Sequence, residues 1–286
     1  MQKSISVVIP TFNRKTTIIR AVNSVYRQDY SGDIEIIIVD DGSTDGTVEL
    51  INETYGKQIK LIELGSNHGA NFARNIGIED ATNELIAFLD ADDEWLENKL
   101  TVEVERMAAE SADVIACGYM EYDGEKEPVK YPRYPIDHDR FLDQIFEDNF
   151  VCTPGVIAKK ACLDVCKFDT NMPRLQDWDL SIRLAQQFKF IFIDDCLFNH
   201  YIQSDSITKN PLAGRDAVRL IMEKNADYLK THKYQMMRMY KKLAFFCMQS
   251  GDFKKNYYLD ALSLYPLSPN LIAHFFVFEW KKLTSK

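Results

Sequence analysis

Within the first 95 residues a short apolar run gives way to a polar turn and then to a helix-like stretch, and the cycle repeats until four such runs have passed. Ile5 to Pro10, Glu35 to Val39, Lys60 to Leu64 and the run beginning at Leu85 read as strands. Between them, Ile18, Val22 and Val25 recur at helical spacing, as do Val48, Ile51 and Tyr55, and a small-residue helix runs from Asn67 to Gly77. Asn13 is placed to cap the first helix, which ends near Gln28, and Ser43 or Thr44 to cap the second. Strand and helix in alternation require right-handed crossovers and a parallel sheet, so the chain is of the α/β class.

Two of these strands end in clustered acids. Asp40 and Asp41 follow one, ahead of Gly42-Ser43-Thr44-Asp45-Gly46-Thr47, and Asp90, Asp92 and Asp93 follow Leu-Ile-Ala-Phe-Leu. Ligands of open α/β sheets collect outside the carboxyl ends of the strands, and the acids fall there. Carboxylates this close repel one another unless a hard cation neutralises them, and all-oxygen ligands favour Mg2+ or Mn2+ over zinc or copper. A metal-bound diphosphate is the natural guest. An acidic turn that stops a strand and caps the next helix is the alternative for Asp-x-Asp-Asp taken alone.

At 286 residues, 46% of them hydrophobic and 27% charged, the chain can bury the core of a soluble globular protein. A formal charge of −9 argues against a nucleic-acid partner and against broad recruitment to anionic lipid. Met1 to Ser4 run straight into a strand with no leader-like segment, which makes a cytoplasmic location the expectation. The six cysteines (Cys117, Cys152, Cys162, Cys166, Cys196 and Cys247) form no Cys-x-x-Cys pair, so buried reduced thiols are expected, not a zinc site or a disulfide framework.

Four motifs stand in register: Val-Ile-Pro-Thr-Phe-Asn-Arg, Val-Asp-Asp-Gly-Ser-Thr-Asp-Gly-Thr, the Asn-x-Gly-x-x-x-Ala-Arg-Asn-x-Gly helix and Phe-Leu-Asp-Ala-Asp-Asp. Together they resemble the family 2 glycosyltransferases, densely over residues 5 to 95 and again near Phe168 to Leu184, thinning after about Thr208. The resemblance implies a GT-A fold, with a Rossmann-like, mostly parallel central sheet flanked by helices, here followed by a C-terminal helical appendage. It implies an inverting, metal-dependent enzyme of hexosyltransferase type, which uses Mn2+ or Mg2+ to move a sugar from a nucleotide-diphosphate donor to a hydroxyl. The acceptor class implied is a glycan or a lipid-linked glycan in cell-surface polysaccharide or glycoconjugate assembly. Carried over residue by residue, the resemblance puts Pro10, Thr11 and Phe12 beside the base. Phe12 stacks where many members have Tyr, and Asp41 accepts a ring N–H of a uracil-type base, with guanine or thymine also open. Asp90 approaches the ribose, Arg74 lies near the nucleotide, and Asp92 holds the cation. Asp93 is left to support or capping.

In the second half, Leu96 to Ala109 reads as a helix, Val114 to Tyr119 as a strand, and the proline-rich Tyr122 to Ile136 as a hairpin or loop over the site. A helix carrying Phe141, Ile145 and Phe146 precedes Cys152 to Ile157, an expected strand on the acceptor side. Leu175 to Leu184 then resembles the family's Glu-Asp helix. Leu180, Leu184 and Phe188 mark its buried stripe, which turns Asp177 inward at the helix start. An inverting transferase needs a carboxylate to take the acceptor's proton, and Asp177 is the expected general base, with helix capping as its alternative and Asp179 able to share either role. Gln176 stands where the family has Glu. Trp178 is either a platform for an acceptor sugar or a buried anchor.

Phe190 to Ile193 and Leu197 to Tyr201 read as two strands ahead of a loop, Gln203 to Thr208. In that region the family often places a His or Arg near metal and phosphates, and His200 and Gln203 are the candidates here. From Pro211 the pattern is helical, with stripes at Leu220, Ile221 and Tyr228, at Met237, Tyr240, Ala244 and Cys247, and at Tyr258, Ala261, Leu262 and Tyr265. The last apolar stretch, Leu271 to Leu283, is too short to span a bilayer. Packing back on the helices is expected of it, with peripheral association at the inner face of the plasma membrane as the alternative. The expected division is a GT-A domain over 1–210, comprising a nucleotide-sugar half (1–95) and an acceptor half (96–210), followed by a helical module over 211–286. Against the enzyme stand two rivals. One is a non-catalytic nucleotide-sugar-binding module; the other, a nucleotidyltransferase, calls for a glycine-rich basic loop that Thr11-Phe12-Asn13-Arg14 does not supply.

Overall fold

A computed structural model describes residues 3–203 and 210–284. Strands β1 (Ile5–Thr11), β2 (Ile34–Asp40), β3 (Lys60–Glu63) and β4 (Leu85–Phe88) lie where the alternation places them, joined by α1 (Ile18–Tyr26), α2 (Thr47–Tyr55) and α3 (Ala70–Asp80). They pair in parallel in the order β3-β2-β1-β4. Beyond β4 the chain adds β5 (Glu94–Trp95), α4 (Lys99–Glu110), β6 (Val114–Tyr122), β7 (Val129–Tyr131), α5 (Phe141–Glu147), β8 (Val156–Lys159), α6 (Lys160–Val165), α7 (Gln176–Gln187) and β9 (Phe190–Tyr201). This half extends the sheet as β8-β6-β9-β5, with β7 on β6. β8 runs antiparallel to both β4 and β6, so the sheet is mixed.

The two-residue alternation of strand side chains divides the core into two layers. Val8, Ile37, Val39, Ile86 and Phe88 face α3, α5 and α7. Val7, Ile9, Ile36 and Ile38 face α1, α2 and α4 on the other side. Gly77 explains the small residues of α3: a Cβ there would lie 2.3 Å from Val8 Cγ1, so only glycine lets this helix approach the sheet so closely.

Five helices follow: α8 (Pro211–Lys224), α9 (Ala226–Thr231), α10 (Lys233–Ser250), α11 (Tyr257–Leu264) and α12 (Pro269–Thr284). Ala217, Val218, Ile221, Leu229, Met239, Leu243 and Phe246 enter the same core layer as α5 and α7. A separate small core, around Met237, Ala244, Tyr258, Leu271 and Phe278, joins α10 to α11 and α12. Leu271 and Phe278 pack inward as expected, while the opposite face of α12 lies open. All six cysteines are free thiols. No helix among the described residues is long and apolar enough to cross a membrane.

Local departures from the sequence reading have local causes. Asn13 does not cap α1, which begins at Ile18; it adopts φ of 52° and accepts from Thr44 N through Oδ1 at 2.8 Å. Gly46, with φ of 87°, precedes α2 in place of Ser43 or Thr44. Helix α4 starts at Lys99 and not Leu96, because Glu94 and Trp95 pair with β9. Cys152 to Gly155 turn before β8 begins at Val156. The two strands expected between Phe190 and Tyr201 are one, with an irregular register where β6 passes Gly118.

Candidate active site

Three loops meet at the carboxyl ends of β1, β2 and β4. Backbone and side-chain bonds lace the first two together: Asp41 N donates to Thr11 O at 2.8 Å, Asn13 N to Ser43 Oγ at 2.8 Å, and Arg14 N to Thr47 Oγ1 at 3.0 Å. Pro10 and Thr11 are buried in β1. Phe12, one residue on, is 39% exposed. An aromatic ring left in solvent beside a fixed turn is available for stacking. Asp41 is buried and takes two backbone donors from the start of α3, His68 N on Oδ1 at 2.7 Å and Gly69 N on Oδ2 at 2.8 Å. It thereby ties β2 to α3, and each carboxylate oxygen keeps a further lone pair.

The Asp-x-Asp-Asp turn sends its three acids different ways. Asp90 accepts from Arg74 Nη2 at 2.6 Å, and the Arg74 guanidinium, nearly buried, also lies 5.2 Å from the Phe168 ring centre. Asp92 faces Arg14, with Nε and Oδ2 3.2 Å apart. Burial and the charges of Asp93 and Asp90 push the Asp92 carboxyl up to about 6, against the pull of Arg14 and His200. Asp93 is fully buried and accepts from His200 Nδ1 at 3.0 Å and from Tyr201 N at 3.0 Å. Burial disfavours the His200 cation, yet the Asp93 hydrogen bond and the charges of Asp93, Asp90 and Asp92 raise it to about 9. His200 therefore clamps Asp93 and fixes the end of β9. Gln203 Nε2 donates back to Tyr201 O at 3.3 Å. The remainder of the expected loop, 204 to 208, lies outside the described residues.

Among the described residues no group of three His, Cys, Asp or Glu side chains is placed to hold a metal ion. The donor chemistry nevertheless suits a hard cation that keeps most of its water. Asp92 is a carboxylate whose charge the protein leaves incompletely balanced, and Mg2+-type ions are held by one or two carboxylates with substrate phosphates filling the shell. Asp92 would be the protein's anchor for such an ion.

Across the crevice, Leu175, with φ of 59°, turns the chain into α7 and presents Asp177 in its first turn. Asp177 Oδ1 accepts from Trp178 N at 2.8 Å and from Asn149 Nδ2 at 3.2 Å. Burial raises the Asp177 pKa, Arg74 and the two hydrogen bonds oppose the rise, and Asp90 adds to it. Asp177 does not cap the helix, since Leu175 holds that position. Asp179 drops out as an alternative base: it is buried and paired with Arg183 Nη2 and Lys224 Nζ, both at 2.7 Å. Trp178 is the buried anchor and not a sugar platform, its Nε1 donating to Ile145 O and its ring lying 4.6 Å from Lys242 Nζ. Sequence reasoning missed Asn149 and Arg14. Asn149 precedes no recognisable helix signal, and its partner lies 28 residues away. Arg14 was visible in the first motif, but only the fold brings it to Asp92.

Acids gathered where a parallel half-sheet meets an antiparallel strand, with a further carboxylate across the crevice, are the arrangement of the GT-A glycosyltransferases, and the fold puts the chain in that class. The mannosyltransferase PcManGT from Pyrobaculum calidifontis, solved in complex with GDP-Man and Mn2+, aligns with a TM-score of 0.64 over 100% of this chain and 88% of its own, at 18% identity. The chain belongs to glycosyl transferase family 2, whose model matches residues 6–161. The amylovoran biosynthesis glycosyltransferase AmsB of Erwinia amylovora is 32% identical over 212 residues, 70% of each chain. The Escherichia coli UDP-Glc:alpha-D-GlcNAc-diphosphoundecaprenol beta-1,3-glucosyltransferase WfaP is 38% identical over 125 residues, 44% of this chain and 48% of its own.

Proposed function

We propose that the protein is an inverting transferase that moves a sugar from a UDP-sugar to an acceptor hydroxyl, in the assembly of a cell-surface polysaccharide or glycoconjugate. The observation that carries the reading is Asp177. Both of its hydrogen bonds reach Oδ1, and among the described residues none reaches Oδ2, so one oxygen is left without a protein donor. In this reading Oδ2 takes the acceptor's proton as the hydroxyl oxygen attacks the anomeric carbon, and the nucleoside diphosphate leaves from the opposite face. Phe12 stacks on the base beside Pro10 and Thr11, Asp41 accepts its ring N–H, Asp90 meets the ribose, and Arg74 orients Asp90 while adding positive charge. A divalent ion held at Asp92, when bound, supplies charge stabilisation for the leaving diphosphate.

Residues 1–95 serve the donor in this scheme and 96–210 the acceptor, while the helices after Pro211 brace α5 and α7 and offer an apolar surface. Ile272, Phe276, Trp280 and Leu283 form one exposed stripe of α12, from 39% to 71% accessible, flanked by Lys281. A helix with a second apolar stripe, an aromatic residue and neighbouring lysines suits the headgroup layer of an anionic bilayer. That would bring a cytoplasmic enzyme to a lipid-linked acceptor of the kind named in WfaP. Mass spectrometry of products from UDP-sugars and glycan or lipid-diphosphate acceptors, with Mn2+, tests the reading. A protein that is stabilised by UDP and Mn2+ but never transfers would be a nucleotide-sugar-binding module instead.

A further inference from the structure

The Asn149 side chain is held in an arrangement that its own hydrogen bonding does not explain. It lies two residues beyond the end of α5, with its Nδ2 3.2 Å from Asp177 Oδ1. Its Oδ1 is buried and has no hydrogen-bond partner among the described residues. Turning the amide over would set two oxygens against each other, so the donor end must face the carboxylate. An amide that keeps one end on Asp177 and leaves the other buried and unpaired accepts a cost for that contact.

The segment holding Asn149 is braced from outside the GT-A half. Lys242 of α10 bonds Asp148 Oδ1 at 2.6 Å, Arg238 Nε donates to Glu147 O at 3.2 Å, and Tyr228 OH donates to Asp143 Oδ1 at 2.6 Å. Lys242 also lies over Trp178, the residue after Asp177. The same helices therefore steady both partners of the Asn149–Asp177 bond. With Asn149 and Trp178 N both on Oδ1, the carboxylate cannot turn freely about its last torsion, and Oδ2 is the oxygen presented.

We propose that Asn149 is the positioning residue for Asp177, fixing which carboxylate oxygen meets the acceptor hydroxyl. The proposal rests on the reading of Asp177 as the base. The charges that face Asp177 are Arg74 and Arg174, which favour its ionised form, and Asp90, which opposes it; the Cys152 thiol and the Tyr119 phenol face it uncharged. Asn149 supplies a neutral donor among them, and its loss is not replaced by any of the others on Oδ1.

The test compares Asn149→Ala, Asn149→Asp and Asp177→Asn in the full chain, with UDP-dependent thermal stabilisation as the check on folding and donor binding. Loss of a hydrogen bond to a charged group should lower kcat for transfer by about tenfold in Asn149→Ala, with UDP binding unchanged. The acid limb of kcat/KM should move to higher pH in Asn149→Ala and further in Asn149→Asp, whose carboxylate repels that of Asp177. A role in folding alone would lower the rate without moving the limb in this order. Wild-type rates and limbs in both Asn149 variants, with transfer lost in Asp177→Asn, would overturn the proposal and leave the base in place. Transfer intact in Asp177→Asn would overturn the base and this proposal with it. Should Asn149→Ala fail to fold, the near-isosteric Asn149→Asp still carries the test through its limb.

Discussion

Arg74 donates to Asp90 at 2.6 Å from a site where the guanidinium is almost sealed from water, while Asp90 keeps part of its surface in the crevice. Among the described residues two further Arg74 nitrogens, Nε and Nη1, are buried without hydrogen bonds, offset by the Phe168 ring and by the charge of Asp177. The short hydrogen bond from Arg74 orients Asp90 and keeps a positive charge beside it. Arg74→Lys keeps the charge but not the planar fork. It should leave the protein folded and raise the dissociation constant for UDP by about tenfold, as measured by calorimetry. An unchanged constant would make the pair purely structural.

Asp92 separates the metal reading from an acidic turn. Its carboxyl sits near Asp90 and Asp93, so replacing it with Asn removes a repelling charge and should leave the apo melting temperature equal or higher. In the wild type with UDP already bound, Mn2+ at a hundred times its dissociation constant should add about 2.7 kcal/mol of stability. That metal-dependent increment should vanish in Asp92→Asn, leaving only what UDP gives without metal. A thermal-shift titration with and without Mn2+ reads both; an increment that survives the substitution moves the ion elsewhere.

The part of the candidate site built at the ends of β1, β2 and β4 was legible because its determinants are local. Strand ends, turn glycines and acids in register within residues 5 to 95 place Phe12, Asp41, Arg74 and the Asp90 cluster without tertiary information. The part around α7 and β9 was less so. Asp179 and Asp177 look alike in sequence, and only the burial of Asp179 between Arg183 and Lys224 distinguishes them. β9 carries on across Asp194 and Asp195, which its register with β6 skips, because the residues on either side pair with β6, about 75 residues earlier, which no local pattern encodes. Asn13 failed as a cap because its side chain is captured by the loop after β2, again a contact between segments.

A buried ion pair under α4 offers a stability test remote from the site. Lys99 and Glu103 are both fully buried, with the ammonium 4.5 Å from the Trp95 ring centre. Burial raises the Glu103 carboxyl to about 6 in spite of Lys99. Lys99→Met retains the aliphatic stem but abandons Glu103, and should cost about 3–5 kcal/mol in urea unfolding at pH 7. Because the folded pKa is raised above its usual value of 4.5, the penalty of the ionised form grows as pH rises through about 6. The loss should therefore be smaller at pH 5 than at pH 7, and Glu103→Gln in the same chain should recover most of it.

The exposed stripe of α12 predicts a surface effect with no cost to the core. Phe276 and Trp280 are each 63% exposed, so changing both to Glu should alter stability by only about 0.5 kcal/mol. Co-sedimentation with vesicles containing phosphatidylglycerol should be strong for the wild type, weak for the variant, and weak for both on neutral vesicles. Wild-type protein that stays in the supernatant with anionic vesicles would remove the membrane from the proposal.

Asp177→Asn distinguishes an enzyme from a binding module, and its two readouts should move in opposite directions. As a base, Asp177 must be ionised, so the wild-type rate should fall as pH drops through a pKa that burial has raised above 3.8. The Asn variant cannot accept the proton, and transfer should fall by about 10²-fold or more while UDP affinity stays put. Stability should shift the other way. A carboxyl with a raised folded pKa contributes its full stability only below its unfolded value, and loses it as pH climbs through the folded one. Once ionised, Asp177 is therefore a burden on the fold, which Asn relieves while keeping the bond from Trp178 N. The variant should melt higher than the wild type at pH 7, and the gap should close towards pH 3.8. A variant that transfers normally would take Asp177 out of the mechanism. One that loses activity and stability together would mark it as a structural residue, because a base kept ionised against its surroundings is expected to trade one for the other.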